Sequence, residues 1–232
     1  MLYLNTFTGE ENMKEKFQHL LENIKKDLIF LANEVEHSIR QAIVALERSD
    51  VALAEQVKAR DNEIDRMEVN IEDQILTLLA LQQPVAIDLR FIVGGLKMNN
   101  DLERIGDHAV NIANTVIELG TTPLVSAIGD ISQMSEIACK MLHDAVSAFV
   151  HQDSDLARKV CAMDNDVDEF YDRIVANTIG SLQKDHDKIR EGFAIARVVR
   201  SLERVGDLST NISEDVVFMK EAKIIRHKFD VS

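Results

Sequence analysis

The phrase Leu-Glu-Arg-Ile-Gly-Asp at 102–107 returns as Leu-Glu-Arg-Val-Gly-Asp at 202–207. Both copies are followed by Asn-Ile, at Asn111-Ile112 and Asn211-Ile212, with a constant offset of 100 residues. A second block, Asp61-Asn62-Glu63-Ile64-Asp65, reappears as Asp164-Asn165-Asp166-Val167-Asp168 at an offset of 103. Asp50, Leu53, Ala54 and Val57 return as Asp153, Leu156, Ala157 and Val160 at that same offset. A period of about a hundred residues is too long for a solenoid unit. It predicts two homologous half-domains.

The apolar spacing predicts helices. Leu20, Leu21, Ile24, Leu28, Leu31, Val35, Ile39, Ile43 and Leu46 recur at three- and four-residue steps between about Met13 and Arg48. Ser49-Asp50 reads as an N-cap before a second helix to about Gln83, and Pro84 as the first turn of a third, ending near Gly120. Gly120-Thr121-Thr122-Pro123 is the clearest linker. Beyond it the pattern repeats: a helix to about Val150, a cap near Asp153–Asp155, a helix to about Leu182, a polar turn Lys184–Asp187 and a last helix to about Ile225. With two prolines and 5% aromatic residues in 232, an all-α chain is expected: two antiparallel three-helix bundles, 13–120 and 121–228, behind a flexible tail at 1–12.

The duplicated phrases carry paired carboxylates. Glu103 with Asp107, and Glu203 with Asp207, stand four residues apart, on one helix face about 6 Å apart along the axis. Like charges at that spacing weaken an isolated helix, and a bound cation is the simplest compensation. Asp65 and Glu103 each lie 19 residues from Pro84, and Asp61 and Asp107 each lie 23 from it. Asp168 with Glu203, and Asp164 with Asp207, are likewise equidistant from the polar turn. Each half therefore brings four carboxylates level, in outline a site for a hard cation such as iron, manganese or magnesium. Gly106 and Gly206, costly within a helix by about 1 kcal/mol, point to close helix approach or ligand access. Solvated helix faces also carry acidic pairs, and a metal-free helical scaffold is the plain alternative.

Other functions find less support. A net charge of −14 opposes nucleic-acid binding. Asp164, Asp166 and Asp168 start like an EF-hand loop, but Glu169 replaces its glycine and Val175 its bidentate Glu. Glu34-x-x-His37 lacks the paired motif of ferritin-like di-iron sites, because the equivalent of His37 in the second repeat is Lys140. A hydrolytic or redox metalloenzyme needs a general base beside the metal, and only His108 adjoins a site. Cys139 and Cys161 read as small hydrophobes. No signal peptide or membrane-spanning run is present, so a cytosolic chain is expected. The basic stretch Lys220–Lys228 favours a helix C-terminus.

The run from Gln83-Pro84-Val85-Ala86-Ile87-Asp88-Leu89-Arg90 through Lys97 to Asp101–His108 and Asn111-Ile112-Ala113 resembles the first-repeat signature of the PhoU family. Ala196-Arg197 through Ser201–Asp207 to Thr210-Asn211-Ile212 resembles the second. The resemblance spans about residues 20–228. It implies two three-helix bundles holding multinuclear metal clusters, often iron, with manganese, magnesium or zinc as alternatives. Glu103, Asp107, Glu203 and Asp207 would be the leading ligands, then Asp61, Asp65, Asp164 and Asp168, with Asn111 and Asn211 as minor ones. The implied role is regulation of phosphate uptake and signalling, without catalysis, beside the phosphate-specific ABC transporter and a sensor histidine kinase. A peripheral position at the membrane and a homodimer are expected. The chain departs from the signature at Leu208, where a His is expected, at Ser209, at Ser201 and in lacking a second turn proline.

Overall fold

The computed structural model describes residues 4–82, 84–120, 122, 124, 127–223 and 225, with side chains from residue 15 onward except at Gln82. Its helices are α1 (Leu4–Arg48), α2 (Val51–Gln82), α3 (Ala86–Leu119), α4 (Ile128–His151), α5 (Ser154–Lys184) and α6 (Ile189–Glu221). A 3₁₀ turn, His186–Lys188, joins α5 to α6. Among the described residues there is no strand, and no helix is long and apolar enough to cross a membrane.

Two capping joints repeat with the sequence. Ser49 takes a left-handed φ of 51°, and the Asp50 amide donates to the Ala45 carbonyl at 2.9 Å, which ends α1. Asp50 then starts α2 by accepting from the Leu53 amide at 3.0 Å. Gln152 and Asp153 do the same between α4 and α5: Gln152 has φ 51°, and Asp153 accepts from the amides of Asp155 and Leu156 at 3.0 Å. Aspartate supplies a short acceptor that satisfies otherwise orphaned N–H groups at the helix start.

Three boundaries differ from the sequence expectation. Pro84 precedes the extended N-cap Val85 and lies outside α3. Helix α1 begins at Leu4 rather than Met13, so residues 4–12, expected as a tail, continue the helix. Extending a formed helix gains one hydrogen bond per residue without a new nucleus. Helix α6 ends at Glu221, where Ala222 turns left-handed with φ 56°; Arg226, His227 and Lys228 lie outside the described residues. Of the expected linker, Gly120 closes α3 with φ 64°, while Thr121 and Pro123 also lie outside the described residues.

Helices α2 and α3, and α5 and α6, form the hairpins, with α1 laid on α3 and α4 on α6. The halves then join through α3 against α6 and α1 against α4. One buried cluster runs through both, from Leu28 and Ile92 to Val198 and Val216. The Phe91 ring of α3 packs 5.0 Å from that of Phe149 in α4. Gly94 allows this approach, since a Cβ there would stand 2.6 Å from Met219 Sδ and 3.4 Å from Phe149. Polar staples flank the seam. Arg90 Nε donates to the Met219 carbonyl at 3.1 Å, and Arg190, its counterpart at offset 100, donates to the Glu118 carbonyl. Lys97 pairs with the buried Asp215 at 3.1 Å, and Arg197 with Glu118.

Candidate metal centre

The level-matching expected from sequence is realised. Asp65 of α2 and Asp107 of α3 lie close enough to Asp61 and Glu103 to raise the pKa of those two carboxyls across the helix pair. Burial, then the charges of Asp65 and Asp107, push the Asp61 carboxyl up to about 6 from its ordinary 3.8. Glu103 is raised by burial first and then by Asp107, Asp65, Glu68 and Asp61. In the second half, burial followed by Asp168, Asp207 and Glu203 lifts Asp164 to about 6. Asp168 is raised by burial, Asp207 and Asp172, and Glu203 by burial and Asp207. Each line therefore lies in a groove between two helices, with Asp61, Glu103, Asp164 and Glu203 partly withdrawn from water; in the second half Arg200 and Arg204 offset part of the repulsion on Glu203.

The repeated glycines shape both grooves. A Cβ at Gly106 would stand 3.2 Å from Ile64 Cγ2 and 3.5 Å from Asp61 Oδ1. At Gly206 it would stand 3.3 Å from Asp164 Oδ1 and 3.4 Å from Val167 Cγ1. The glycine thus admits the aspartate of the neighbouring helix against the backbone of the helix bearing the Glu–Asp pair.

Glu68 was missed in the sequence. It lies one turn beyond Asp65 on the same face, raised by burial and by Glu72 and Asp65, and the buried Asn99 Nδ2 donates to its carbonyl at 2.9 Å. The three-residue step from Asp65 along one helix face would have found it. Asn111 and Asn211 are exposed. Asn211 lines a cleft of about 570 Å³ between α3 and α6 with Lys97, Asn100 and Asp101, a surface that lies beside the carboxylate lines. His108, beside Asp107, is held below its ordinary pKa by burial and by Arg204, Arg104 and Arg200, against the opposing pull of Asp107. Burial raises Cys139 to about 12 and Cys161 to about 11, so both thiols stay protonated and unreactive.

Among the described residues, no three His, Cys, Asp or Glu side chains converge tightly enough to enclose a metal ion as placed. Carboxylates that repel one another stand apart, and two of them are turned towards arginines: Arg200 donates to Glu203 at 2.9 Å and Arg204 to Asp207 at 2.7 Å. The donor set nevertheless suits a hard cation. Every group is a carboxylate oxygen, the buried Glu203 Oε2 has no hydrogen-bond partner, and the glycine cradles hold Asp61 and Asp164 inward. Thr210 sits near enough to Asp164 to favour its charged form, but its hydroxyl makes no aligned hydrogen bond.

A duplicated six-helix bundle with a line of carboxylates in each half defines a class of all-α proteins with two matching acidic grooves. The PhoU domain model matches residues 28–116 and again 131–216, so the chain belongs to the PhoU family. It is 38% identical over 208 residues to a phosphate-specific transport system accessory protein PhoU homolog of Aquifex aeolicus, covering 90% of this chain and 94% of that one. It is 30% identical over 224 residues to the PhoU accessory protein of Escherichia coli, covering 97% and 93%. The crystal structure of PhoU from Pseudomonas aeruginosa superposes with a TM-score of 0.86 at 33% identity, covering 89% of this chain and all of that one.

Proposed function

We propose that this chain is a metal-binding, non-enzymatic regulator of phosphate uptake and phosphate signalling. The relatives' names, as accessory proteins of the phosphate-specific transport system, support the physiological role. The observation carrying the metal reading is the doubled groove, in which Asp61 and Asp164 are both raised to about 6 by burial and like charge. Hydrolysis or redox turnover finds no comparable support.

When bound, a multivalent cation, with iron favoured and manganese, magnesium or zinc as alternatives, neutralises several carboxylates at once. The chain's own residues do the rest. Asp61, Asp65, Glu103 and Asp107 hold the first site from two helices, so filling it ties α2 to α3. Asp164, Asp168, Glu203 and Asp207 tie α5 to α6. An anionic leaflet repels a chain of net charge −14, and discharging both grooves lowers that barrier to a peripheral position at the cytoplasmic face. There the partners are the phosphate-specific ABC transporter and its sensor histidine kinase, and the working form is a homodimer.

The test is metal analysis of protein purified without added metal, followed by co-sedimentation with membranes containing the transporter. Binding should depend on metal and fall in the variant Glu103→Gln, Asp107→Asn, Glu203→Gln, Asp207→Asn with helical content retained. Full binding by that folded, metal-free variant would show that recognition lies on another surface.

A further inference from the structure

The two carboxylate lines come from one duplication, yet their arginine neighbours differ. In the second half Arg200 Nη1 donates to Glu203 Oε1 at 2.9 Å and Arg204 Nη1 to Asp207 Oδ2 at 2.7 Å, with Arg204 Nε 3.9 Å from Glu203 Oε2. In the first half, no ion pair reaches Glu103 or Asp107 among the described residues, and Arg104 turns away to Asp101 at 3.4 Å. Two differences between the repeats account for this. The counterpart of Arg200 is Asn100, which carries no charge, and the counterpart of Asp101 is the buried Ser201, which cannot draw Arg204 aside. The acids differ too. Glu68 adjoins the first line, and its counterpart at offset 103 is Tyr171, although Asp172 extends the second line on its exposed side.

We propose that Arg200 and Arg204 form a latch on the second carboxylate line, competing with the cation for Glu203 and Asp207, so that the first line loads before the second. The inference rests on the cation-binding reading above. An oxygen that accepts from a guanidinium cannot offer the same lone pair to a metal, and the added positive charges repel the incoming ion. A cation that engages Glu203 and Asp207 through both carboxylate oxygens must therefore displace these bonds, and one that takes only the free oxygens still meets the arginine charges. The two arginine side chains are about half exposed, at 49% and 45%, so each pair is a screened surface interaction. Together they correspond to about a tenfold loss in cation affinity. The chain would then respond to rising cation concentration in two steps, with α5 and α6 tied together only in the second.

The experiment titrates the full, metal-stripped chain with Mn²⁺ and counts free ion by electron paramagnetic resonance. The wild type should show two affinity classes about tenfold apart, with Asp107→Asn removing the tight class and Asp207→Asn the weak one. Arg200→Gln with Arg204→Gln should tighten the weak class about tenfold and leave the tight class in place. Asn100→Arg with Asp101→Ser should install the latch in the first half and weaken the tight class. Circular dichroism confirms the fold of each variant. Two equal classes in the wild type, or a weak class that ignores the arginine change, overturn the latch alone. No Mn²⁺ binding at all overturns the metal reading and the latch with it.

Discussion

Single carboxyl groups at the two grooves are held in an uncomfortable state, and pH exposes it. Asp61 and Asp164 are raised to about 6 from 3.8, with burial the largest cause and neighbouring carboxylates the next. The folded chain therefore holds these protons more tightly than the unfolded chain between those values. Metal-free stability should fall as pH rises from about 4 to about 6 and stay low above that. Both groups are substantially solvent-exposed, so after screening the effect is about 1 kcal/mol each. Thermal melts in chelator should show this slope in the wild type and a flatter one in the variant Asp61→Asn, Asp164→Asn. Parallel slopes would mean the lines are better solvated than their burial indicates.

At the scale of helices, glycine has two distinct uses that one substitution type separates. Gly94 lies where α3 meets Met219 and Phe149, and a methyl there would come within 2.6 Å of Met219 Sδ. Gly94→Ala should lower stability by about 1–3 kcal/mol through overpacking of the seam between halves. At Gly106 the nearest atoms to such a methyl belong to Ile64 and Asp61, at 3.2 and 3.5 Å. There the gain in helix propensity, about 1 kcal/mol, roughly offsets the crowding. Gly106→Ala should leave the melting temperature within about 3 °C of wild type while reducing metal affinity at the first groove. Denaturant melts and Mn²⁺ titration of both variants separate the effects; a large loss of stability at Gly106 would make that glycine structural alone.

Across the whole molecule, α3 against α6 and α1 against α4 join the repeats through one buried cluster. Phe91 of the first repeat packs on Phe149 of the second, so a separated half would expose that ring. Calorimetry should give a single transition for the full chain, and two well-separated transitions would show that the halves fold independently. A cation that binds only the folded state adds stability by mass action, about 2.7 kcal/mol at a hundredfold excess over its dissociation constant. Chelation should then lower the melting temperature by about 5–10 °C. Asp107→Asn with Asp207→Asn together should remove that response, and an unchanged wild-type melt would favour the metal-free scaffold.

Much of this was legible because it is local. The three- and four-residue apolar step in Leu21, Ile24, Leu28, Leu31 and Val35 marks a buried helix face, and Asp50 and Asp153 are caps whose partners lie two or three residues away. Equal distance from a turn places Asp61 beside Asp107 and Asp164 beside Asp207, because antiparallel helices rise at the same rate. The duplicated phrases therefore mark the level at which both grooves lie. Other features needed the packed molecule. That the halves share one core depends on Gly94 meeting Met219 across 125 positions, a contact no periodicity encodes. The use of Gly106 and Gly206 as cradles and the place of Glu68 on the first line were also decided there. The physical reason is common to them: periodicity identifies the face a helix buries, whereas burial depth and close approach arise only when a second helix excludes water.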